Sequence, residues 1–229
     1  MVAFFTELNW AAVFQIIAID ILLGGDNAVV IAMASRNLSP KARRGAIFWG
    51  VAGAIGLRVA LITCAMFLLE IAGLKAVAGA LLLWIGIKLL IEDDSPKDVK
   101  SEDRLWQAVK TIIIADFVMS LDNVIGIAGA AQAAADHHQL ILVIFGLLVS
   151  IPFIVFGSQI ILKLFTRFPV IVDLGGALLG WIGGTLLVGD TLLSGILPAG
   201  DATRYAAGIA GAVLVIAASK IILHARSRA

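Results

Sequence analysis

Residues 79–93 read GALLLWIGIKLLIED and residues 176–190 read GALLGWIGGTLLVGD, with roughly ten of the fifteen positions identical. Agreement of that order is beyond chance even between apolar segments, and it marks an internal repeat. A second pair keeps the same order along the chain. IDILLGGDNAVVIA (Ile19 to Ala32) and ADFVMSLDNVIGIA (Ala115 to Ala128) each carry an Asp, five residues and then Asp-Asn. The chain therefore holds two copies of one unit.

The solvent of that unit follows from composition. Hydrophobic residues make up 61% of the chain and charged residues 14%, with a mean hydropathy of +1.04, whereas soluble domains are about half apolar. The charges gather in short islands between runs long enough to cross a bilayer core of about 30 Å. Those runs predict helices at roughly 10–34, 45–69, 75–91, 108–134, 140–162, 170–192 and 204–223. The fold class is thus an all-α membrane protein of about seven transmembrane helices in a single membrane domain. Repeat 1 covers about 10–91, a cytoplasmic linker about 92–107, repeat 2 about 108–192 and an extra C-terminal helix about 204–223. Because each unit has three helices, the second copy must cross in the opposite sense. That is the inverted repeat of secondary transporters, which hold substrate near mid-membrane at the repeat interface. The seventh helix is expected on the outside, and Gly175-Gly176 and Gly183-Gly184 are expected to let helices approach closely.

Charge sets orientation. One set of loops holds Arg36, Lys41, Arg43, Arg44, then Lys97, Lys100, Arg104, then Lys163 and Arg167, and the tail adds Arg226 and Arg228. The other set holds little beyond Lys75 and Arg204. Positive loops stay in the cytoplasm, which predicts the N-terminus outside and the C-terminus inside. The N-terminus lacks the basic start of a cleaved signal peptide, so the first helix is expected to remain in the mature protein. A lone cysteine, Cys64, excludes an intrachain disulfide and a thiolate metal cage. A net charge of +1 without a basic arm gives no reason to expect nucleic acid. Tryptophans near helix ends suit interfacial anchoring.

The chemistry lies in four carboxylates placed inside predicted spans, Asp20 and Asp26 in the first helix and Asp116 and Asp122 in the fourth. Each charged Asp costs roughly 2.5–3.5 kcal/mol at a helix centre, about 10 kcal/mol for four, so something must compensate. Protonation, a bound cation or a basic neighbour could do so, and the only arginine deep in a span is Arg58. One arginine cannot balance four aspartates; it is expected as a counter-ion to one of them. Asn27 and Asn123 add neutral carbonyl oxygens beside Asp26 and Asp122. Oxygen-only ligation suits a hard divalent ion of the Mg, Mn or Ca type. Six residues of regular helix rotate a side chain by about 240°, so Asp20 and Asp26 would share a face only if the helix breaks between them. Gly24-Gly25 is the candidate break, and Ser120-Leu121 stands at the matching place in the fourth helix. Met119 could lend a thioether but reads better as core. Asp173 and Asp190 lie near helix ends where water is expected to reach them, and His137 and His138 read as a surface pair; all four fall outside the expected site.

The segments DILLGGDNAVVIAMASRNLSP and ADFVMSLDNVIGIAGAA resemble the two signature regions of the TerC family of integral membrane proteins, within the LysE-type transporter superfamily. The resemblance covers nearly the whole chain. It implies seven helices with an inverted repeat and a role in manganese export across the bacterial cytoplasmic membrane. It also carries the family's metal-site positions onto Asp20, Asp26, Asn27, Asp116, Asp122 and Asn123.

The expected function is therefore export of a divalent cation, Mn²⁺ first, by alternating access, with reprotonation of aspartates as a reset and the metal as substrate rather than cofactor. The lipid bilayer and the ion are the expected partners; a homodimer is left open. Three rivals stand beside this reading. An intramembrane aspartyl protease would use paired membrane aspartates, but the only tyrosine, Tyr205, lacks a following Asp. An amino-acid exporter is suggested by the superfamily alone, and a non-transporting partner in metal or tellurite stress would leave no motif of its own.

Overall fold

The structure, a computed structural model, describes residues 14, 17, 25–69, 71–91, 101–133, 139–193, 200–226 and 228. Among them are seven helices and no strand: α1 (Gly25–Ser35), α2 (Pro40–Leu69), α3 (Leu74–Ile91), α4 (Ser101–Ala133), α5 (Gln139–Arg167), α6 (Val170–Val188) and α7 (Asp201–Arg226). Five of these, α2, α3, α5, α6 and α7, contain stretches long and apolar enough to cross a membrane.

Several helices outrun the apolar runs that announced them. The second begins at Pro40 instead of 45, because Ser39 accepts a hydrogen bond on Oγ from the Ala42 N–H (3.4 Å) and Pro40 sits where a missing N–H does no harm. The fourth begins at Ser101 instead of 108, with Glu102 and Asp103 in its first turn facing the positive end of the helix dipole. Residues 101–107 of the expected linker are thus helical. The fifth runs to Arg167 and the seventh from Asp201 to Arg226, while the sixth stops at Val188 instead of 192. Hydropathy marks the stretch that suits lipid; caps and charged turns decide how far the helix continues into water.

Contacts are closest between α6 and α7, α2 and α4, and α3 and α6. Glycines make these approaches. A Cβ on Gly79 would stand 2.5 Å from the Gly183 carbonyl oxygen, and one on Gly183 would stand 2.8 Å from that of Gly79. At the other end of the same helix pair, a Cβ on Gly176 would meet Leu90 at 2.5 Å. Gly184 lies against the backbone of Ala207, and Gly180 and Gly211 lie backbone to backbone, so α7 seats on α6 through small residues. Trp181 covers Gly208 and lies beside Tyr205, ring centroids 5.9 Å apart. Phe48, Trp49, Trp84, Phe153, Phe156, Val213 and Ile221 stay exposed, as a lipid-facing surface requires.

Helix ends are tied by long-range polar contacts. Arg43 donates to the carbonyls of Ser35, Arg36 and Leu38, closing the C-terminus of α1, and Arg36 donates to the Leu89 carbonyl of α3 at 3.1 Å. Asp190 corrects an expectation. It is buried, not watered: its carboxylate accepts from the N–H groups of Gly73 (2.9 Å), Ala76 (3.0 Å) and Leu192 (2.8 Å). The repeat-2 carboxylate thus caps the start of α3, where Gly73 turns the chain with φ +89°. Burial pushes the Asp190 carboxyl up, but the N–H groups of Leu192, Ala76, Gly73 and Lys75 outweigh it and hold the group below the usual carboxylate range.

Candidate cation site

A cavity lies where α1, α2, α4 and α5 meet, walled by Val30, Ile31, Val51, Ile112, Leu147 and their neighbours. It measures about 20 Å³, counted as space open to the centre of a water molecule; one water needs about 10–15 Å³ on that scale. The hole has room for a water or a single stripped ion. Its polar lining comes from four side chains, one per helix: Asn27, Arg58, Asp116 and Ser150.

Arg58 and Asp116 form a buried ion pair, Nη2 to Oδ1 at 2.6 Å. Ser120 closes a ring with them. Its Oγ accepts from Arg58 Nε at 3.0 Å and donates to Asp116 Oδ2 at 3.3 Å. Asp116 and Ser120 can cooperate because four residues is one helical turn, and α4 brings both to the face that α2 covers. Ser150, across the cavity on α5, donates to the Leu147 carbonyl at 2.8 Å. Pro152, two residues on, has no N–H to give the turn before it, leaving α5 one backbone bond short beside the cavity.

Asn27 is the anomaly. It is 3% exposed, and among the described residues neither its Nδ2 nor its Oδ1 has a hydrogen-bond partner. Each such group costs about 1–3 kcal/mol when left unpaired. Native interiors keep very few, and each calls for an explanation such as a ligand.

The other expected site residues fall as follows. Asp26 stands in the first turn of α1, half-buried, with Oδ1 accepting from the Asn27 N–H at 2.9 Å; it does not line the cavity. Asp122 and Asn123 lie within α4, but their side chains are outside the described residues, as are Asp20 and Gly24 entirely. Gly25 opens α1, so the proposed break at Gly24-Gly25 also falls outside them, while α4 runs unbroken through Ser120-Leu121. In that continuous helix Asn123 is seven residues, about two turns, beyond Asp116 on the same stripe, and Asp122 is about 120° away around the axis. Met119 sits in the apolar core, His137 and His138 are outside the described residues, and Cys64 is exposed. Among the described residues no group of three or more His, Cys, Asp or Glu side chains gathers to hold a metal. Two polar residues of the site, Ser150 on the cavity wall and Ser120 in the ring with Arg58 and Asp116, were not anticipated. Ser120's spacing from Asp116 could have suggested its role; Ser150 becomes visible only from the way α5 packs.

Helices alone, a lipid-facing apolar surface and a small polar cavity inside the bundle define a multi-pass integral membrane protein. More narrowly, the chain belongs to the Integral membrane protein TerC family, whose sequence profile matches residues 5–228. It is 45% identical over 179 residues to "Uncharacterized membrane protein YjbE" of Bacillus subtilis (strain 168), covering 78% of this chain and 80% of that one. "Uncharacterized membrane protein YkoY" of the same organism is 23% identical, over 79% of this chain and 60% of its own. "UPF0053 protein YegH" of Escherichia coli (strain K12) is 26% identical over 78% of this chain, which spans 36% of that longer protein. No solved structure matches the chain.

Proposed function

We propose that this protein is a secondary transporter of the bacterial cytoplasmic membrane, exporting a small divalent cation, Mn²⁺ first, from a site between α1 and α4. The unpartnered, buried Asn27 amide on the wall of an ion-sized cavity carries this reading. In a bundle with nothing to bind, an apolar side chain of the same shape would be cheaper; a carbonyl oxygen waiting for a cation gives the amide a purpose.

Register across the two halves supports an inverted repeat around that cavity. Val51, Ala54 and Arg58 of α2 line it, and so do Leu147, Ser150 and Ile154 of α5, each 96 positions later. The same offset relates Asp20, Asp26 and Asn27 to Asp116, Asp122 and Asn123. Glycine contacts repeat as well, at an offset of 97: exchanging the copies turns the Gly79–Gly183 approach into Gly176–Gly86, where a Cβ on Gly86 would stand 3.5 Å from the Gly176 carbonyl oxygen. Two antiparallel halves that share one cavity supply the geometry of alternating access, one half rocking against the other. The basic loops favour a cytoplasmic C-terminus in this reading.

Asp20, Asp26, Asn27, Asp116, Asp122 and Asn123 supply the oxygens in this reading, and Arg58 is the counter-ion. The ion pair at Asp116 also argues against a peptidase, whose two aspartates would need to share a proton. The test is flux in proteoliposomes for Mn²⁺, Ca²⁺, Mg²⁺ and lysine, together with growth of cells in excess manganese. Asp26→Asn and Asp122→Asn should each abolish Mn²⁺ flux and protection while the protein still reaches the membrane. Unchanged flux in both overturns the site.

A further inference from the structure

Among the described residues Arg58 is the sole buried basic side chain, and it lies on the wall of the cavity that also holds the Asn27 amide. Its register mate in the other half is Ile154, on the same cavity wall. A guanidinium serving only to glue helices belongs anywhere in the contact between α2 and α4. This one lines the cavity proposed to take the cation, and on one half only.

We infer that Arg58 is the counter-cation of the empty carrier: its guanidinium and the transported ion compete for Asp116, each neutralising the carboxylate when the other is away. The inference rests on the cation-transport reading above. Its chemistry is a charge exchange. In the ion pair Nη2 holds Asp116 Oδ1, and the ring through Ser120 satisfies Nε and Oδ2. An arriving divalent ion takes Asp116 oxygens together with the Asn27 carbonyl, and Nη2 lets go. Ser120 gives the released side chain a hold, because its Oγ accepts from Nε and not from the nitrogen that must leave. When the ion departs, the guanidinium returns, and Asp116 is not left as a bare carboxylate in a low-dielectric interior. Neutralising Asp116 in this way removes one charge that opposes the empty return. Two ligands coupled through one charge typically shift each other's affinity by about 5–150-fold.

Three measurements on purified full-length protein in proteoliposomes separate this from a structural role: Mn²⁺ binding at equilibrium, net Mn²⁺ flux into Mn²⁺-free vesicles, and exchange with Mn²⁺ on both sides. Net flux requires an empty return and exchange does not. Arg58→Met should bind Mn²⁺ about tenfold or more tighter than wild type, and its net flux should fall about tenfold further than its exchange. Arg58→Lys, which keeps the charge but loses the planar fork, should lie between the two on both counts. If Arg58→Met binds Mn²⁺ no tighter, or if net flux and exchange fall together, Arg58 is a packing residue and the inference fails, while wild-type flux leaves the transport reading intact. If wild type neither binds nor moves Mn²⁺, both fail. Should Arg58→Met not fold, as judged by size exclusion, Arg58→Lys decides alone: wild-type affinity together with a wild-type flux-to-exchange ratio overturns the competition.

Discussion

Replacing Asn27 by leucine should make the protein more stable and less active. Leucine branches at the same carbon as asparagine, so the change nearly preserves shape at a position that is 3% exposed. It removes a nitrogen and an oxygen that have no hydrogen-bond partner among the described residues. At about 1–3 kcal/mol for each unsatisfied group, and allowing for water in the cavity to meet part of that demand, a gain of about 2 kcal/mol is expected. Chains of this length shift their melting temperature by about 2–4 °C per kcal/mol, which predicts a rise of about 4–8 °C in the metal-free protein. Flux should drop to background, because the carbonyl that would face the ion is gone. The assay pairs thermal unfolding in detergent without metal with Mn²⁺ flux from the same preparation. A variant that melts lower than wild type would refute the reasoning, since it would mean that the amide is satisfied and holds the bundle together. Retained flux would refute it from the other side. Stability gained by losing function marks a residue kept for a ligand.

Other consequences follow from the same contacts. Asp116→Asn should destabilise by about 3–5 kcal/mol, because it leaves the buried Arg58 guanidinium without its anion; chemical denaturation checks this, and the double variant Asp116→Asn with Arg58→Met should recover part of the loss. Gly79→Ala should cost about 1–3 kcal/mol in the same assay, since the added Cβ would meet the Gly183 carbonyl oxygen at 2.5 Å. Asp190→Asn should lose about 1–3 kcal/mol at pH 7 by weakening the cap on α3. Its pH dependence has a definite sign. The Asp190 carboxyl is more acidic folded than unfolded, so its stabilisation is complete above the ordinary carboxylate value of about 3.9 and fades as pH falls through the lower folded value. Melting curves of wild type and Asp190→Asn should therefore converge on acidification.

Much of the helix pattern was legible because lipid imposes a simple rule: runs that cross must be apolar, and GALLLWIGIKLLIED and its second copy announce both a crossing and a repeat. Helix ends were less legible. Ser39-Pro40 and Ser101 with its two acids extend helices past the apolar runs through local hydrogen bonds and dipole effects that hydropathy does not register. Asp190 was misplaced for a different reason. Its position at a helix end suggests water, but besides the Leu192 N–H its partners are backbone groups 114 and 117 residues earlier in the chain, and only the approach of α3 to α6 brings them together. At the site, the residue types declared a buried charge that needed a partner, yet four aspartates competed for one arginine. The choice of Asp116 follows from the register of α2 against α4, set by side chains such as Ile112 seated on Gly50. Ser150 carries no signal of its own and enters only because α5 closes the cavity.

In the proposed transporter, oxygens of α1 and α4 hold a divalent cation inside the bundle. Anomalous scattering from crystals grown with Mn²⁺ tests this most directly. A single internal peak is expected in the cavity, with the Asn27 carbonyl oxygen and an Asp116 oxygen at coordination distance, about 2.0–2.6 Å for hard cations. Peaks confined to surface carboxylates, with Asn27 facing an empty or water-filled cavity, would contradict it.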